Sequence, residues 1–191
     1  MIYIAKKAKT TLAVGMPEIE NGKYYNTSVV IGARGYVAKH QKTHLFYKES
    51  KFFEKGKTKP TLFELGKYKI GLGVCYDYMF PEFWRFLALK GADLFVNTAN
   101  YKYDYGLRLM QTRAIENGVV TINTNRIGTE RGLTFRGGSI IVNARGKILK
   151  QASTNKTEIF VVDVDLNQSR NKKWNPYNDL FKDRRPDMYR D

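Results

Sequence analysis

The chain has 191 residues, a length that fits one ordinary domain and buries about 70% of its unfolded surface without disulfides or structural metals. Hydrophobic residues at 42% and aromatics at 14% exclude a disordered or low-complexity chain. The 33 Lys and Arg against 18 Asp and Glu give a formal net charge of +15, so a polyanionic partner has to be weighed from the start.

That charge is uneven, with 12 basic and four acidic side chains in the first 60 residues. It forms no solid basic block. The densest stretch, Lys6-Lys7-Ala8-Lys9, breaks at once into Thr10-Thr11-Leu12-Ala13-Val14, so a solvated basic surface is expected and nucleic acid is not an expected partner. Cys75 is the single cysteine, which rules out an intrachain disulfide and suits a reducing compartment. No apolar run approaches the ~20 residues of a membrane span, and the opening lysines follow rather than precede apolar residues. The expectation is a cytoplasmic protein that stays off membranes.

Residues 11–15 and 27–31 read as strands flanking the Asn21-Gly22 turn signal, and Gly32-Ala33-Arg34-Gly35 turns the chain into a third strand at 36–39. Residues 40–60 are polar, basic and aromatic without a period, as in a long loop. Residues 69–75 form a strand whose Gly71 and Gly73 leave room for another backbone. Pro81 then opens a helix over 81–90, with Glu82 in its first turn and Gly91 past its end. A strand at 93–97, a helix at 106–117 and strands at 119–122, 139–143 and 147–149 follow, and the alternation over 158–164 predicts a last strand. One α/β domain over 1–166 with a trailing arm at 167–191 is the simplest account.

A lone cysteine is ordinarily a small buried hydrophobe. Cys75, however, ends a buried-type strand just before a loop and a helix, the position at which α/β folds open a crevice. A thiol there is a nucleophile only if something takes its proton and something stabilises the oxyanion. His40 and His44 are candidates for a Cys–His pair, or else ordinary loop histidines. No His, Cys, Asp or Glu cluster has metal-ligand spacing, so no metal is expected, and Gly71-x-Gly73 falls short of a dinucleotide fingerprint.

Lys42-Thr43-His44-Leu45-Phe46-Tyr47-Lys48-Glu49, then Gly71-Leu72-Gly73-Val74-Cys75-Tyr76-Asp77-Tyr78-Met79-Phe80-Pro81-Glu82, Thr98-Ala99-Asn100, Arg113-Ala114-Ile115-Glu116-Asn117 and Asn125-Arg126-Ile127-Gly128 together resemble the nitrilase superfamily of carbon–nitrogen hydrolases. The tail from Arg170 looks like that of its small prokaryotic amidase branch. The resemblance implies an αββα sandwich with mixed sheets and a Glu–Lys–Cys triad that opens an amide or nitrile carbon through a thioester. By motif, Cys75 is the nucleophile and Lys42 the lysine, whose ammonium favours the thiolate and donates to the oxyanion. The backbone N–H of Tyr76 is the second oxyanion donor, and Glu49 positions the substrate or the lysine. No cofactor is implied. The substrate is a small amide, carbamoyl or nitrile compound, and the partner is a second copy, paired through helices and C-terminal arms.

One departure stands out. The general-base glutamate of the superfamily lies in a strand–helix–strand segment farther upstream of the lysine than this chain extends, and the alignment starts at Ile2-Tyr3-Ile4-Ala5, inside the second helix of the family. Glu18 and Glu20 read as solvated residues of the hairpin. The expectation is therefore an N-terminally truncated chain without its general base, an amidase-type hydrolase or, alternatively, a catalytically impaired remnant that serves as an interaction subunit.

Overall fold

The computed structural model describes residues 1–189, and the last two residues of the expected arm, Arg190 and Asp191, lie outside the described residues. A short helix α1 (Ile2–Lys7) leads into the strands β1 (Leu12–Glu20), β2 (Lys23–Gly32) and β3 (Gly35–Gln41), which pair as the expected antiparallel meander. Asn21 and Gly22 both hold positive φ, 51° and 73°, the backbone that a two-residue hairpin turn requires. Among the described residues eleven strands form three sheets, once β4 (Leu62–Leu65), β5 (Tyr68–Val74), β6 (Leu94–Ala99), β7 (Val120–Asn125), β8 (Ile127–Glu130), β9 (Leu133–Arg136), β10 (Ile140–Val142) and β11 (Ile148–Gln151) are added. The largest sheet runs β11-β10-β7-β6-β5-β4, with β5, β6 and β7 parallel and its edges antiparallel.

The layers follow from which residues each element buries. α2 (Pro81–Leu89) and α3 (Tyr105–Asn117) cover one face of the six-stranded sheet through Trp84, Leu87, Met110 and Ala114, packed against Phe95 and Val142. The other face meets the meander, where Val30 and Ala38 pack on Ile70, Leu72 and Val96. Buried Ala5 of α1 sits in contact with β2, which completes an αββα order of layers. Because side chains alternate along a strand, the face of the meander opposite Val30 carries Glu18, Glu20, Lys39 and Gln41.

Several expectations are corrected. The room left by Gly73 is filled not by a backbone but by a side chain: a Cβ there would lie 2.5 Å from the Trp84 ring. Residues 158–164 form no strand; they alternate as expected, but among the described residues nothing pairs with them, and Ile159 and Val161 are 96% and 89% exposed. Glu18 and Glu20 are not merely solvated: Thr27 and Gln41 donate to Glu18 at 2.8 and 3.2 Å, and Lys39 bridges both carboxylates. Burial opposes ionisation of Glu18, but these donors hold its carboxyl below the usual range. α1 falls where the resemblance places a helix, whereas β4 and the β8–β9 hairpin were not read from the sequence. Among the described residues no helix is long and apolar enough to cross a membrane.

The arm is tied down by polar contacts rather than by a periodic apolar face. Arg170 pairs with Asp93 at 2.9 Å and donates to the Lys67 carbonyl. Lys172 donates to the carbonyls of Asn117 and Gly118, both at 2.9 Å, at the C-terminal end of α3 where a cation is favoured.

Candidate active site

Cys75 follows the last residue of β5, at the carboxyl end of the parallel strands, where the backbone leaves the sheet as a 3-10 turn over Cys75–Met79. Its φ is +46°, in the left-handed region that a non-glycine residue occupies at a cost of about 1–3 kcal/mol. Such strain persists only where neighbours impose it, and here they are identifiable. The Asp77 carboxylate accepts from the Val74 backbone at 3.0 Å, Trp84 Nε1 donates to the Asp77 carbonyl at 2.9 Å, and Arg113 Nε donates to the Tyr78 carbonyl at 3.1 Å. Arg113 is itself held by Glu116 at 2.8 Å, which accounts for two residues of the Arg113-Ala114-Ile115-Glu116-Asn117 motif.

Cys75, Tyr76 and Glu49 line one cavity of about 790 Å³. Lys42, fully buried at the end of the meander, reaches Glu49 with Nζ 2.9 and 2.6 Å from the two carboxylate oxygens. Asn26 Nδ2 and the Phe46 backbone N–H add to the shell of Glu49 at 3.1 and 2.6 Å, so each of its oxygens accepts two hydrogen bonds. Tyr76 lies in the first turn of the 3-10 segment, where backbone N–H groups have no intrahelical acceptor and are free to face an oxyanion. The Asn100 backbone N–H, at the mouth of the neighbouring strand β6, is directed at the Cys75 sulfur and was not singled out as a site residue in the sequence.

Burial and the charge of Lys42 act on Cys75 in opposite directions. Burial pushes the Cys75 thiol above its ordinary value; Lys42 and the Asn100 N–H pull the other way, and Glu49 and Asp77 reinforce burial. Burial is the largest of these contributions, so the pull of Lys42 toward the thiolate does not outweigh it.

The histidines do not pair with the thiol. His44 Nδ1 and His40 Nε2 both donate to Asp77, at 2.8 and 3.3 Å, and the His44 backbone N–H adds a third contact at 3.1 Å. His44 stacks on Phe80 with ring centroids 3.6 Å apart. Asp77 thus fastens the segment carrying Lys42 to the turn carrying Cys75. Among the described residues no group of three or more His, Cys, Asp and Glu is arranged to hold a metal ion.

The pattern of the carbon-nitrogen hydrolase family matches residues 1–173. The chain belongs to that family. It is 42% identical over 189 residues to a nitrilase of Pyrococcus abyssi, an alignment covering 99% of this chain and 72% of the relative. It is 33% identical to an N-carbamoylputrescine amidase of Arabidopsis thaliana, over 100% of this chain and 71% of that one. The crystal structure of a carbon-nitrogen hydrolase from Helicobacter pylori G27 superposes with a TM-score of 0.89 at 27% identity, covering 98% of this chain and 72% of that chain. Membership in the nitrilase superfamily and the nitrilase-type fold expected from the motifs are thereby established, and carbon–nitrogen hydrolysis is the chemistry of the family.

Proposed function

We propose that this chain hydrolyses the C–N bond of a small amide or carbamoyl compound through a thioester on Cys75, releasing ammonia. The observation that carries this reading is Cys75 itself, held at positive φ on a turn into the cavity beside Lys42 and Glu49. In the first half-reaction the sulfur adds to the amide carbon, and Lys42 Nζ and the Tyr76 N–H stabilise the oxygen that gains the charge. Collapse breaks the C–N bond, the thiol proton leaves on ammonia, and the acyl group remains as a thioester. Water then adds to the thioester, the C–S bond breaks, and carboxylic acid and free thiol are restored. Glu49 orients Lys42, with which it makes hydrogen bonds from both oxygens.

Ammonia release from an amide panel, with acyl-enzyme detected by mass spectrometry, tests the assignment. Cys75→Ala is expected to abolish both; retained turnover refutes it. A second reading is favoured by the engaged state of Glu49: among the described residues the cavity holds no other carboxylate to serve as general base, and catalysis without one is about 10²–10⁴-fold slower than with one. Residues 1–166 act as the hydrolase domain in the cytoplasm, and the arm from 167 pairs two copies into a homodimer. Tyr177 and Met188, 94% and 70% exposed, offer the apolar surface for that contact.

A further inference from the structure

The cavity has a charge pattern that the bond-cleaving reading does not use. Ten of the residues lining it are aromatic, which gives it apolar walls, and the only carboxylate among them is Glu49. Glu49 is neutralised by Lys42 at 2.6 Å. Three basic side chains also line the cavity, Lys48, Lys102 and Arg131, all on exposed residues. Among the described residues no carboxylate forms an ion pair with any of them: Asp104 is taken by Arg108 at 3.1 Å and Glu130 by Arg126 at 2.6 Å. Lys48 and Lys102 rest on their neighbours Tyr47 and Tyr103, with Nζ 5.2 and 5.5 Å from the ring centres. These cation–π contacts leave the ammonium groups charged and unneutralised.

The cavity therefore combines a matched pair at the reacting end with three unmatched positive charges on low-dielectric aromatic walls, an arrangement that concentrates anions. In a primary amide the leaving group is ammonia, so any further charge on the substrate sits at the end away from the scissile bond. We propose that the site selects small primary amides and carbamoyl compounds whose far end is a carboxylate, received by Lys48, Lys102 and Arg131 while the carbonyl carbon lies at Cys75. A far end bearing an amine, as in the compound named for the Arabidopsis relative, meets three like charges and is disfavoured.

This specificity rests on the hydrolase reading, and two measurements separate their failures. The first compares kcat/KM for succinamate, butyramide and 4-aminobutanamide, matched in chain length but anionic, neutral and cationic. Focusing by unmatched charges leads to an expected preference of about tenfold for succinamate over butyramide, with the cation slowest. The second needs no turnover, since Cys75 is the single cysteine: alkylation by iodoacetate and by iodoacetamide is measured relative to free cysteine. Iodoacetate is expected to be enriched about threefold or more, and the enrichment to vanish at 0.5 M salt (about 4–5 Å of screening length) and in Lys102→Glu with Arg131→Glu, which keep Lys42. Iodoacetate enrichment without turnover of any amide overturns the hydrolase reading and leaves the charge selection standing. Equal turnover of all three amides, with alkylation in the ratio of free cysteine and unmoved by charge reversal, overturns the charge selection and leaves the hydrolase reading standing.

Discussion

Replacing Asp77 removes the fastening between the two halves of the site, and its cost can be worked from the contacts. The carboxylate is fully buried and accepts four hydrogen bonds: Val74 N at 3.0 Å, His44 N at 3.1 Å, His44 Nδ1 at 2.8 Å and His40 Nε2 at 3.3 Å. Asp77→Ala strands two backbone N–H groups, that of Val74 buried and that of His44 half-buried, and two imidazoles, a loss of about 3–5 kcal/mol by analogy with broken buried charge pairs. For a chain of this length each kcal/mol moves Tm by about 2–4 °C, so a fall of about 6–20 °C is expected. Asp77→Asn keeps the shape and one acceptor oxygen but turns an amide N–H₂ toward a donor, and is expected to cost about 1.5–3 kcal/mol. Burial opposes ionisation of Asp77, but the donors His40 and His44 outweigh it and hold the carboxyl below its ordinary 3.8. In acid the unfolded chain therefore binds the proton first. The stabilisation is complete above about pH 4 and is lost as pH falls through the lower folded value. Circular dichroism melts of wild type and both variants from pH 3 to 8 measure this. A Tm within 2 °C of wild type for Asp77→Ala, or a gap to Asp77→Asn that widens toward acid, refutes the reasoning.

Two stability predictions follow from other contacts. Gly73→Ala drives a Cβ to 2.5 Å from the Trp84 ring and 3.1 Å from Asn97 Oδ1, an overpacking cost of about 1–3 kcal/mol; an unchanged urea midpoint counts against it. Burial pushes the Lys172 ammonium from 10.5 down to about 8. Between those values the unfolded chain holds the extra proton, so the stability of wild type relative to Lys172→Gln rises with pH over that window. A flat difference from pH 8 to 10.5 refutes this.

What was legible in the sequence was set by local rules. The Asn21-Gly22 turn needs φ that only a few residues tolerate, and Pro81 with Gly91 brackets α2 because each suits one end of a helix. The place of Cys75 at the mouth of the sheet was legible because a strand, a loop and a proline-started helix fix where the sheet opens. What escaped depends on partners distant along the chain. The β8–β9 hairpin, Ile127–Glu130 and Leu133–Arg136, is largely exposed and shows no buried alternation to detect. The segment 158–164 misled in the opposite way: its alternation is real, but a strand exists only when a neighbour accepts its backbone. The roles of His40, His44, Arg113 and Asn100 rest on contacts across 25 to 37 positions, such as His40 with Asp77, and no spacing in the chain signals them.

Residues 158–164 also bear on how the protein behaves in solution. A segment with no strand partner among the described residues, carrying Ile159 and Val161 in water, is a template that a second chain can extend. The net charge of +15 keeps copies apart at low ionic strength, and added salt removes that repulsion while leaving the template intact. Storage buffers of high ionic strength should therefore promote self-association through this edge. A lysine in place of Val161 is the smallest change that blunts it, placing a charge on the edge without altering any residue of the Cys75 cavity.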